Sequence, residues 1–414
     1  MTSSVWHPFT QHALTPEFPV VSRGEGVWLE TDKGRLLDAI SSWWVITHGH
    51  RHPKIVAAIK AQADRLDQVI FANLTHQPAE DVARGLIEIA PRGLSHVFYS
   101  DSGSTAVEVA LKMALGFWKN TGKPRTRIIA LEHAYHGDTV GTMSAGARGV
   151  FTAAYGPLLF DVVRLPFPAP GREQETLDML KAAAKDAAAL IVEPLILGSG
   201  GMLMYPPEVL RALAIICRRN GTLFIADEVM TGFGRTGTLF ACKQAGVSPD
   251  ILCLAKGLTG GSLPLAVTLC TPEIFQAHYS QNRSRTFFHS SSFTANPIAC
   301  AAARANLEIW RDEPVAGRIT GLGAMQEERL KGFRTDSRFT NVRRLGTIAA
   351  LDLKVADPGY MAGIGPRLTA FFLGRGILLR PLGNTIYVLP PYGIAAAELD
   401  LVYDAITAAA AKFA

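Results

Sequence analysis

An acidic side chain and an amine stand directly after two apolar runs of strand length. The run LFIAD ends in Asp227, and the run ILCLA is followed at once by Lys256. Ligands of an open α/β sheet bind outside the carboxyl ends of its strands, so both side chains are expected to face one crevice. An acid and an amine together suit a cofactor with a basic ring nitrogen and a carbonyl group. Pyridoxal phosphate has both, with Lys256 as the Schiff-base lysine and Asp227 as the partner of the protonated ring nitrogen.

Each of the two residues also has an ordinary structural interpretation. An Asp at a strand end is often a cap of a helix or turn, and a Lys before Gly is often a solvated surface residue. Taken singly, neither residue establishes a site, so the pair needs support from elsewhere in the chain.

The loop that follows Asp227 contains the pattern Gly-x-Gly-x-x-Gly, at Gly232, Gly234 and Gly237. A dinucleotide-binding fingerprint needs a helix that opens on the last glycine and an acidic residue about 20 positions later, at the end of a second strand. Here the glycines are followed by TLFAC, and no such acid-tipped strand follows. The pattern therefore favours a loop near the cofactor over a nicotinamide or flavin site.

Two serine-rich turns could bind the phosphate of such a cofactor. The first contains Gly103 and Ser104 and opens a long helix. Backbone N–H groups, hydroxyls and the positive end of a helix dipole together make an anion site. Simple capping by Ser102 or Ser104 explains the same residues. The second turn, residues 290–292, is either a loop or a second phosphate contact.

Aromatic side chains lie near these positions. Tyr135 follows a strand end, where it could stack on a flat cofactor. Trp43 and Trp44 either belong to the core or wall a pocket, where an indole face suits a planar ring or a cationic substrate. Three alternating histidines, at positions 48, 50 and 52, lie in a loop without a cysteine or carboxylate partner nearby, and no metal site is predicted there.

The composition is that of a globular enzyme. The chain has 414 residues, of which 48% are hydrophobic and 19% charged, enough for one large and one smaller domain. A net charge of +5 with scattered Lys and Arg argues against nucleic acid as a partner. Five cysteines without a C-x-x-C motif indicate reduced, buried thiols. Since neither a signal peptide nor a membrane-spanning stretch is recognisable, we expect a soluble, cytoplasmic protein.

Short buried strands alternate with helices, which predicts a mostly parallel sheet covered on both faces. The strands are expected at 97–101, 127–131, 190–192, 223–227, 251–255 and 265–269, with further strands near 347–353 and 385–389. The expected organisation is an N-terminal segment (1–50) that joins the small domain and the active site, a large cofactor-binding domain (51–312) and a small C-terminal α+β domain (313–414).

The ordered motifs of the chain resemble a known family. GSTAVEVALKMA after FYSD, EHAYHGDT, VEP, ADEVMTGFGRTG and LAKGLTGG occur in the order typical of the class III aminotransferases of fold-type I. This resemblance implies an α/β, aspartate aminotransferase-like fold and pyridoxal 5'-phosphate as cofactor. The shorter motifs WHPFTQ, SSWW and RPLGN are similar to the branch that transfers an amino group from S-adenosylmethionine to 8-amino-7-oxononanoate, giving 7,8-diaminononanoate in biotin biosynthesis. That reaction is ping-pong, through pyridoxamine phosphate.

The resemblance also implies roles for individual residues. The catalytic residues would be Lys256, Asp227 and Tyr135; the other cofactor ligands would be Gly103, Ser104, Ser291 and Ser292; and the substrate would contact Phe9, Trp43, Tyr135, Asp138, Ser290 and Arg380. In this family the loop that carries Ser291 and Ser292 completes the phosphate site of the other subunit, which implies a homodimer with shared active sites. Arg380 matches the arginine that holds the carboxylate of the keto substrate.

Two positions depart from the family pattern. Phe9 stands where a Tyr often follows His-Pro, and Ser290-Ser291-Ser292 stands where Gly-Pro-Thr commonly follows the histidine. The amino donor stays open between S-adenosylmethionine and lysine. The alternatives are another class III aminotransferase, acting on ornithine, 4-aminobutyrate or β-alanine, a different reaction on the same scaffold, and a non-enzymatic or nicotinamide-binding protein.

Overall fold

The computed structural model describes residues 4–15 and 17–414. Its strands are β1 (Val21–Glu25), β2 (Trp28–Thr31), β3 (Gly34–Asp38), β4 (His96–Ser100), β5 (Arg127–Leu131), β6 (Val163–Leu165), β7 (Ala187–Val192), β8 (Ile196–Leu197), β9 (Leu203–Met204), β10 (Leu223–Asp227), β11 (Ile251–Leu254), β12 (Ala266–Cys270), β13 (Phe339–Leu345), β14 (Ile348–Leu353), β15 (Ile377–Leu378) and β16 (Thr385–Val388). Its α-helices are α1 (Ser41–Trp44), α2 (Pro53–Ala63), α3 (Gln77–Ile89), α4 (Gly103–Asn120), α5 (Val140–Ala145), α6 (Glu173–Ala183), α7 (Pro207–Asn220), α8 (Ala241–Ala245), α9 (Pro272–His278), α10 (Pro297–Asp312), α11 (Val315–Thr335), α12 (Ile364–Leu373) and α13 (Ala396–Phe413). Short 3₁₀ helices lie at His12–Leu14, Ala153–Leu158, Ala184–Asp186, Lys256–Thr259 and Arg283–Arg285.

A seven-stranded sheet, in the order β4-β12-β11-β10-β7-β5-β6, forms the centre of the molecule. Six of its strands are parallel, and β12 runs antiparallel to both of its neighbours. Every residue of β7, β10 and β11 is buried, because helices cover both faces of the sheet. The predicted α/β fold with a mostly parallel central sheet is confirmed.

Successive residues of the central strands enter different cores. Phe224 and Ala226 of β10 belong to the same apolar cluster as Leu210 of α7. Ile225, between them, belongs to the cluster that contains Val107 of α4. This alternation is the period of two of a β-strand, and it places α7 and α4 on opposite faces of the sheet.

A second region combines the chain termini. The antiparallel sheet β13-β14-β16 shares a third apolar cluster with residues of α11, α12 and α13. The sheet β1-β2-β3-β15 joins the N-terminal meander to the C-terminal part, since β15 pairs in parallel with β3. The predicted domain boundaries at 50/51 and 312/313 stay a prediction, and residues 1–3 and 16 of the N-terminal segment lie outside the described residues.

Two further features concern the chain as a whole. All five cysteines are free and buried, as the sequence predicts. In the ranges given above, none of the helices combines the length and the apolar character needed to cross a membrane.

Candidate active site

A cavity of about 390 Å³ lies at the carboxyl ends of the central strands. Asp227, the last residue of β10, and Lys256, the second residue after β11, both line it. The two side chains that the sequence predicts to share one crevice therefore do so. Their chemical roles stay predictions until they are tested in solution.

Lys256 occupies a strained and apolar position. Its backbone has a φ of 45°, in the left-handed region that residues other than glycine rarely adopt. Its Nζ lies 4.8 Å from the centroid of the Trp44 ring. Burial lowers the pKa of Lys256 to about 8, although the nearby carboxylates of Asp227 and Glu193 oppose the shift. A neutral amine is therefore available close to neutral pH, as a nucleophile or base requires.

Asp227 is held in one orientation by two hydrogen bonds. Its Oδ2 accepts a bond from Nδ1 of His136 at 2.7 Å, and its Oδ1 accepts one from the backbone N–H of Val229 at 3.1 Å. Because an ionised carboxylate can only accept, the proton of His136 lies on Nδ1. Both side chains are buried. The carboxylate is thereby oriented to accept a further N–H from a ring in the cavity.

The start of α4 forms another wall of the cavity. Ser102 caps the helix, because its Oγ accepts a bond from the N–H of Thr105 at 3.2 Å and Thr105 Oγ1 accepts one from the N–H of Ser102. Gly103 and Ser104 follow and line the cavity, and Ser104 Oγ accepts a bond from the N–H of Asp138 at 3.2 Å. Capping by Ser102 therefore leaves the Ser104 hydroxyl proton and the helix dipole available to an anion.

Two glycines permit the close packing around this helix start. A Cβ on Gly103 would lie 2.6 Å from Cγ1 of Val229. Gly137 has a φ of 129°, and a Cβ there would overlap Oγ of Ser104. Any side chain at either position would displace the wall of the cavity.

Tyr135 connects the inner cavity to an outer one. Its hydroxyl donates to Oδ2 of Asp138 at 2.8 Å, and its backbone N–H donates to Oε1 of Glu193 at 2.9 Å. Glu193 also accepts a bond from the N–H of Gly198, and burial raises the pKa of Glu193 to about 7. Burial, with the adjacent Asp138 carboxylate, also raises the pKa of Tyr135. The Tyr135 side chain is thus fixed as a neutral phenol that lines both cavities.

The outer cavity, of about 370 Å³, extends from Lys256 to Arg380. Its lining includes the predicted substrate contacts Phe9, Trp43, Tyr135, Asp138 and Arg380, with Phe151 and Tyr360 as further aromatic walls. The Arg380 guanidinium lies 4.9 Å from the Trp43 ring and 5.8 Å from the Phe9 ring. In residues 4–15 and 17–414, no carboxylate lies within ion-pair distance of this guanidinium. It is therefore available to a carboxylate ligand.

Ser290, Ser291 and Ser292 line neither cavity within this chain. Ser291 Oγ instead donates to Oδ2 of Asp101, a residue that does line the inner cavity. The backbone carbonyl of Ser292 accepts a bond from Nε2 of Gln68 at 2.6 Å. Since the structure contains one chain, the predicted contact of these serines with another subunit stays a prediction.

The residues around the inner cavity fit pyridoxal phosphate. The start of α4, with Gly103 and Ser104, would hold the phosphate, and the oriented Asp227 carboxylate would face the ring nitrogen. Lys256 would meet the carbonyl group, and Tyr135 would lie along the ring. These groups surround one cavity at the edge of the sheet where cofactors are expected.

Several contributing residues were not predicted from the sequence. His136 and Glu193 follow β5 and β7, so their position after strand ends was a usable signal. Arg235 belongs to the glycine-rich loop and is buried; it donates to the backbone carbonyls of Trp44, Ile46 and Pro390. No sequence signal points to those partners. The loop thus packs beneath the active site.

The three alternating histidines have three separate partners. His48 bonds to Asn306 and His50 to Asp38, both at 2.8 Å, and His52 faces Glu313 at 3.5 Å. Among the residues that the structure describes, no three His, Cys, Asp or Glu side chains form a cluster suited to a metal ion.

Comparisons with known proteins agree with this geometry. A model of the family "Aminotransferase class-III" matches residues 10–410. The adenosylmethionine-8-amino-7-oxononanoate aminotransferase of Synechococcus elongatus is 48% identical over 413 residues, which cover 97% of each chain. The enzyme of the same name from Geobacter sulfurreducens is 40% identical over 427 residues, covering 97% of this chain and 94% of its own.

Solved structures of other proteins are similar in fold to this chain. The adenosylmethionine-8-amino-7-oxononanoate aminotransferase of Methanocaldococcus jannaschii superposes with a TM-score of 0.94 at 36% identity, covering 99% of this chain and 97% of its own. An amine transaminase from an uncultivated Pseudomonas species, in a form with bound pyridoxal phosphate, has a TM-score of 0.94 at 34% identity and covers 100% of both chains.

Proposed function

This chain belongs to the class-III aminotransferase family, and on that basis we propose that it transfers an amino group from S-adenosylmethionine to 8-amino-7-oxononanoate. The product would be 7,8-diaminononanoate, in biotin biosynthesis. The predicted family, fold and cofactor are confirmed: the chain is a pyridoxal phosphate-dependent aminotransferase. The names of relatives up to 48% identical support the substrates.

The observation that carries the proposal is the continuous path from Lys256 to Arg380, whose guanidinium donates to the Phe9 carbonyl at 3.5 Å and has no carboxylate partner among the described residues. A keto acid with a long apolar chain could place its ketone near Lys256 and its carboxylate on Arg380. Phe9 and Trp43 would contact the apolar chain between them. Asp138 adds a negative charge that would attract an amino group of the substrate.

The residues of the chain support transamination as follows. Bound pyridoxal phosphate supplies a carbonyl for the incoming amine and a ring that accepts electrons. Lys256, with its lowered pKa, would take a proton from the carbon that bears the donor amine and deliver it to the carbon of the cofactor's original carbonyl group. Asp227, fixed by His136, would keep the ring nitrogen protonated. Trp44 covers Lys256 and limits the access of water.

We also propose a homodimer with shared active sites. Phe288 and Phe293, on either side of the three serines, are 70% and 62% exposed. Ile70 and Leu74, on the neighbouring loop, are also exposed, and that loop is bonded to Ser292 through Gln68. Clustered exposed apolar side chains are typical of an interface. A cytoplasmic location is proposed as well, because the five buried cysteines are free thiols.

The test is an assay of 7,8-diaminononanoate formation from 8-amino-7-oxononanoate with S-adenosylmethionine or lysine as donor. We expect product with S-adenosylmethionine. Product with lysine alone would reassign the donor. Transamination of ornithine, 4-aminobutyrate or β-alanine without any reaction of 8-amino-7-oxononanoate would contradict the proposal, and release of carbon dioxide would indicate a different reaction.

The role of Lys256 has a separate test. Lys256→Ala should abolish turnover while the fold survives, because the cofactor loses its covalent partner. Borohydride should link the cofactor to the wild-type chain and to Lys60→Ala, an exposed control, but not to Lys256→Ala. A full transaminase rate in Lys256→Ala would remove the central assignment.

A further inference from the structure

The four residues of α1, Ser41–Trp44, form a single turn that carries both active-site tryptophans and has an unfavourable, non-helical backbone conformation. Ser41, Ser42 and Trp44 have φ angles of 54°, 61° and 66°. The left-handed region is costly for residues with a Cβ, and such conformations persist only where surrounding contacts impose them. The contacts that impose this turn should therefore be identifiable.

The turn positions both ends of the reaction path. The buried Trp44 places its ring beside Nζ of Lys256, and its Nε1 donates to the hydroxyl of Tyr387 at 3.0 Å. Trp43 is 40% exposed, and its ring lies beside the Arg380 guanidinium. A rotation of the turn would therefore disturb the amine and the carboxylate-binding arginine together.

The carboxylate of Asp38 bonds to Ser42 in the middle of the turn. Asp38 is fully buried at the end of β3. Its Oδ1 accepts bonds from the N–H of Ser42 at 2.7 Å and of Ile40 at 3.3 Å. Its Oδ2 accepts bonds from the Ser42 hydroxyl at 3.0 Å and from Nε2 of His50 at 2.8 Å. All four donors converge on one side chain.

His50 fixes this carboxylate relative to the N-terminal meander. Its backbone pairs with Gly26, with His50 N–H donating to the Gly26 carbonyl at 2.7 Å. Its ring packs on Gly24 of β1, where a Cβ would lie 3.0 Å from Cγ of His50. The imidazole is thus held by a strand pair on one side and bonds to Asp38 on the other.

We propose that Asp38 and His50 are positioning residues of the transamination reaction. Neither side chain lines the inner or the outer cavity. They hold the Ser41–Trp44 turn in its left-handed conformation and so keep Trp43 on Arg380 and Trp44 on Lys256. The identity of the amino acceptor in this inference, 8-amino-7-oxononanoate, rests on the proposed function.

The test compares His50→Ala with His52→Ala in the holoenzyme. We expect His50→Ala to raise the KM for 8-amino-7-oxononanoate about tenfold, since small displacements of positioning groups have large kinetic effects. The near-ultraviolet circular dichroism of the tryptophans should change as well. His52 is a matched control on the same segment, because its partly buried ring faces another carboxylate, that of Glu313. His52→Ala should leave both readouts as in the wild type.

Two conservative variants separate positioning from stability. His50→Gln keeps a side-chain N–H near the position of Nε2 and should restore most of the KM and the spectrum. Ser42→Ala removes only the hydroxyl bond to Asp38 and should change both readouts in the same direction as His50→Ala. If His50→Ala does not fold, Ser42→Ala decides the question.

A normal KM and a normal tryptophan spectrum in His50→Ala, with only a lower melting temperature, would overturn the proposal. The spectrum also distinguishes this failure from failure of the proposed function. If the wild type does not use 8-amino-7-oxononanoate, the spectral change still shows whether Asp38 and His50 hold the turn.

Discussion

At the scale of single residues, the reactivity of the site depends on the protonation of Lys256. Burial lowers its pKa to about 8 from the 10.5 of an ordinary lysine. In the cofactor-free protein, the rate at which Lys256 combines with added pyridoxal phosphate should therefore rise with pH. The midpoint of this rise should lie near pH 8. Stopped-flow absorbance measures this rate. A midpoint near that of an exposed lysine would contradict the effect of burial.

The same shift predicts how stability depends on pH. The folded pKa of Lys256 lies below the unfolded one, so the unfolded chain binds more protons between pH 8 and 10.5. The contribution of Lys256 to the free energy of unfolding therefore rises with pH across this window. Denaturant titrations of the cofactor-free protein should show this rise. This contribution to the rise in the free energy of unfolding should be absent in Lys256→Met.

Asp227 gives a second prediction at this scale. Asp227→Asn should reduce kcat/KM by several orders of magnitude, because an amide does not keep the ring nitrogen protonated. A loss smaller than about tenfold, roughly 1.4 kcal/mol, would contradict the assignment. Asp250→Asn is a suitable control. Asp250 precedes β11 at the opposite end of the sheet and accepts a bond from the N–H of Phe224, so its loss should leave catalysis nearly unchanged.

Single residues also show where sequence reasoning ends. Asp227 and Lys256 could be placed together because both follow buried parallel strands, whose carboxyl ends share one edge. The pairing of Asp38 with His50 could not be predicted, because it depends on the conformation of the Ser41–Trp44 turn, which the sequence does not reveal. Their role appears only once the partner of each is known.

At the scale of elements, the loop that contains Gly137 closely approaches the start of α4, which we propose as the phosphate-binding end of this helix. Gly137→Ala should raise the dissociation constant for pyridoxal phosphate at least about tenfold, because φ strain and a clash with Ser104 would move the helix start. Equilibrium dialysis of the cofactor measures this effect.

Gly122→Ala is the matched control for that variant. Gly122 also has a positive φ, of 73°, but a Cβ there would meet nothing within 4 Å, at the far end of α4. Its substitution should lower the free energy of unfolding by about 1–2 kcal/mol without loss of cofactor affinity. Equal losses of affinity in both variants would show that strain alone, and not the approach to Ser104, governs binding.

The predicted elements agree with the observed ones where pattern and boundary signals coincide. β5 and β10 have the predicted bounds. β7 begins at Ala187, three residues earlier than predicted. The prediction missed these residues because all three are alanines, which are common in helices. The antiparallel direction of β12 could not be predicted, since an apolar strand reads the same in either direction.

At the scale of the whole molecule, the active site combines segments that are distant in the sequence. Phe9 and Trp43 come from the N-terminal segment, Lys256 from the central sheet and Arg380 from the C-terminal part. Sequence patterns located each segment, but not the pairing of β15 with β3 and the bonds of Ala39 and Ser41 to Leu389, which join the N-terminal segment to the C-terminal part.

Two inactive variants should complement each other if the sites are shared. One chain carries Lys256→Ala; the other carries Ser291→Ala with Ser292→Ala and should lose cofactor affinity. In a mixed dimer, the chain with intact Lys256 would receive intact serines from its partner. Co-refolded mixtures should therefore recover activity, to about half that of the wild type for a mixed dimer with one complete site of two.

The hydrogen bond from Ser291 to Asp101 of the same chain predicts the opposite result, in which mixing the two variants restores no activity. If Ser291 acts only on Asp101 of its own chain, the chain with intact Lys256 would keep its own defect in every dimer, and mixing would restore nothing. Lys256→Ala mixed with Asp227→Asn is the control, because both residues line the same cavity of one chain and no exchange can complete a site. Recovery in the first mixture alone would show that the serines act across the interface. Only in that arrangement does a mixed dimer contain a site with both an intact Lys256 and intact serines.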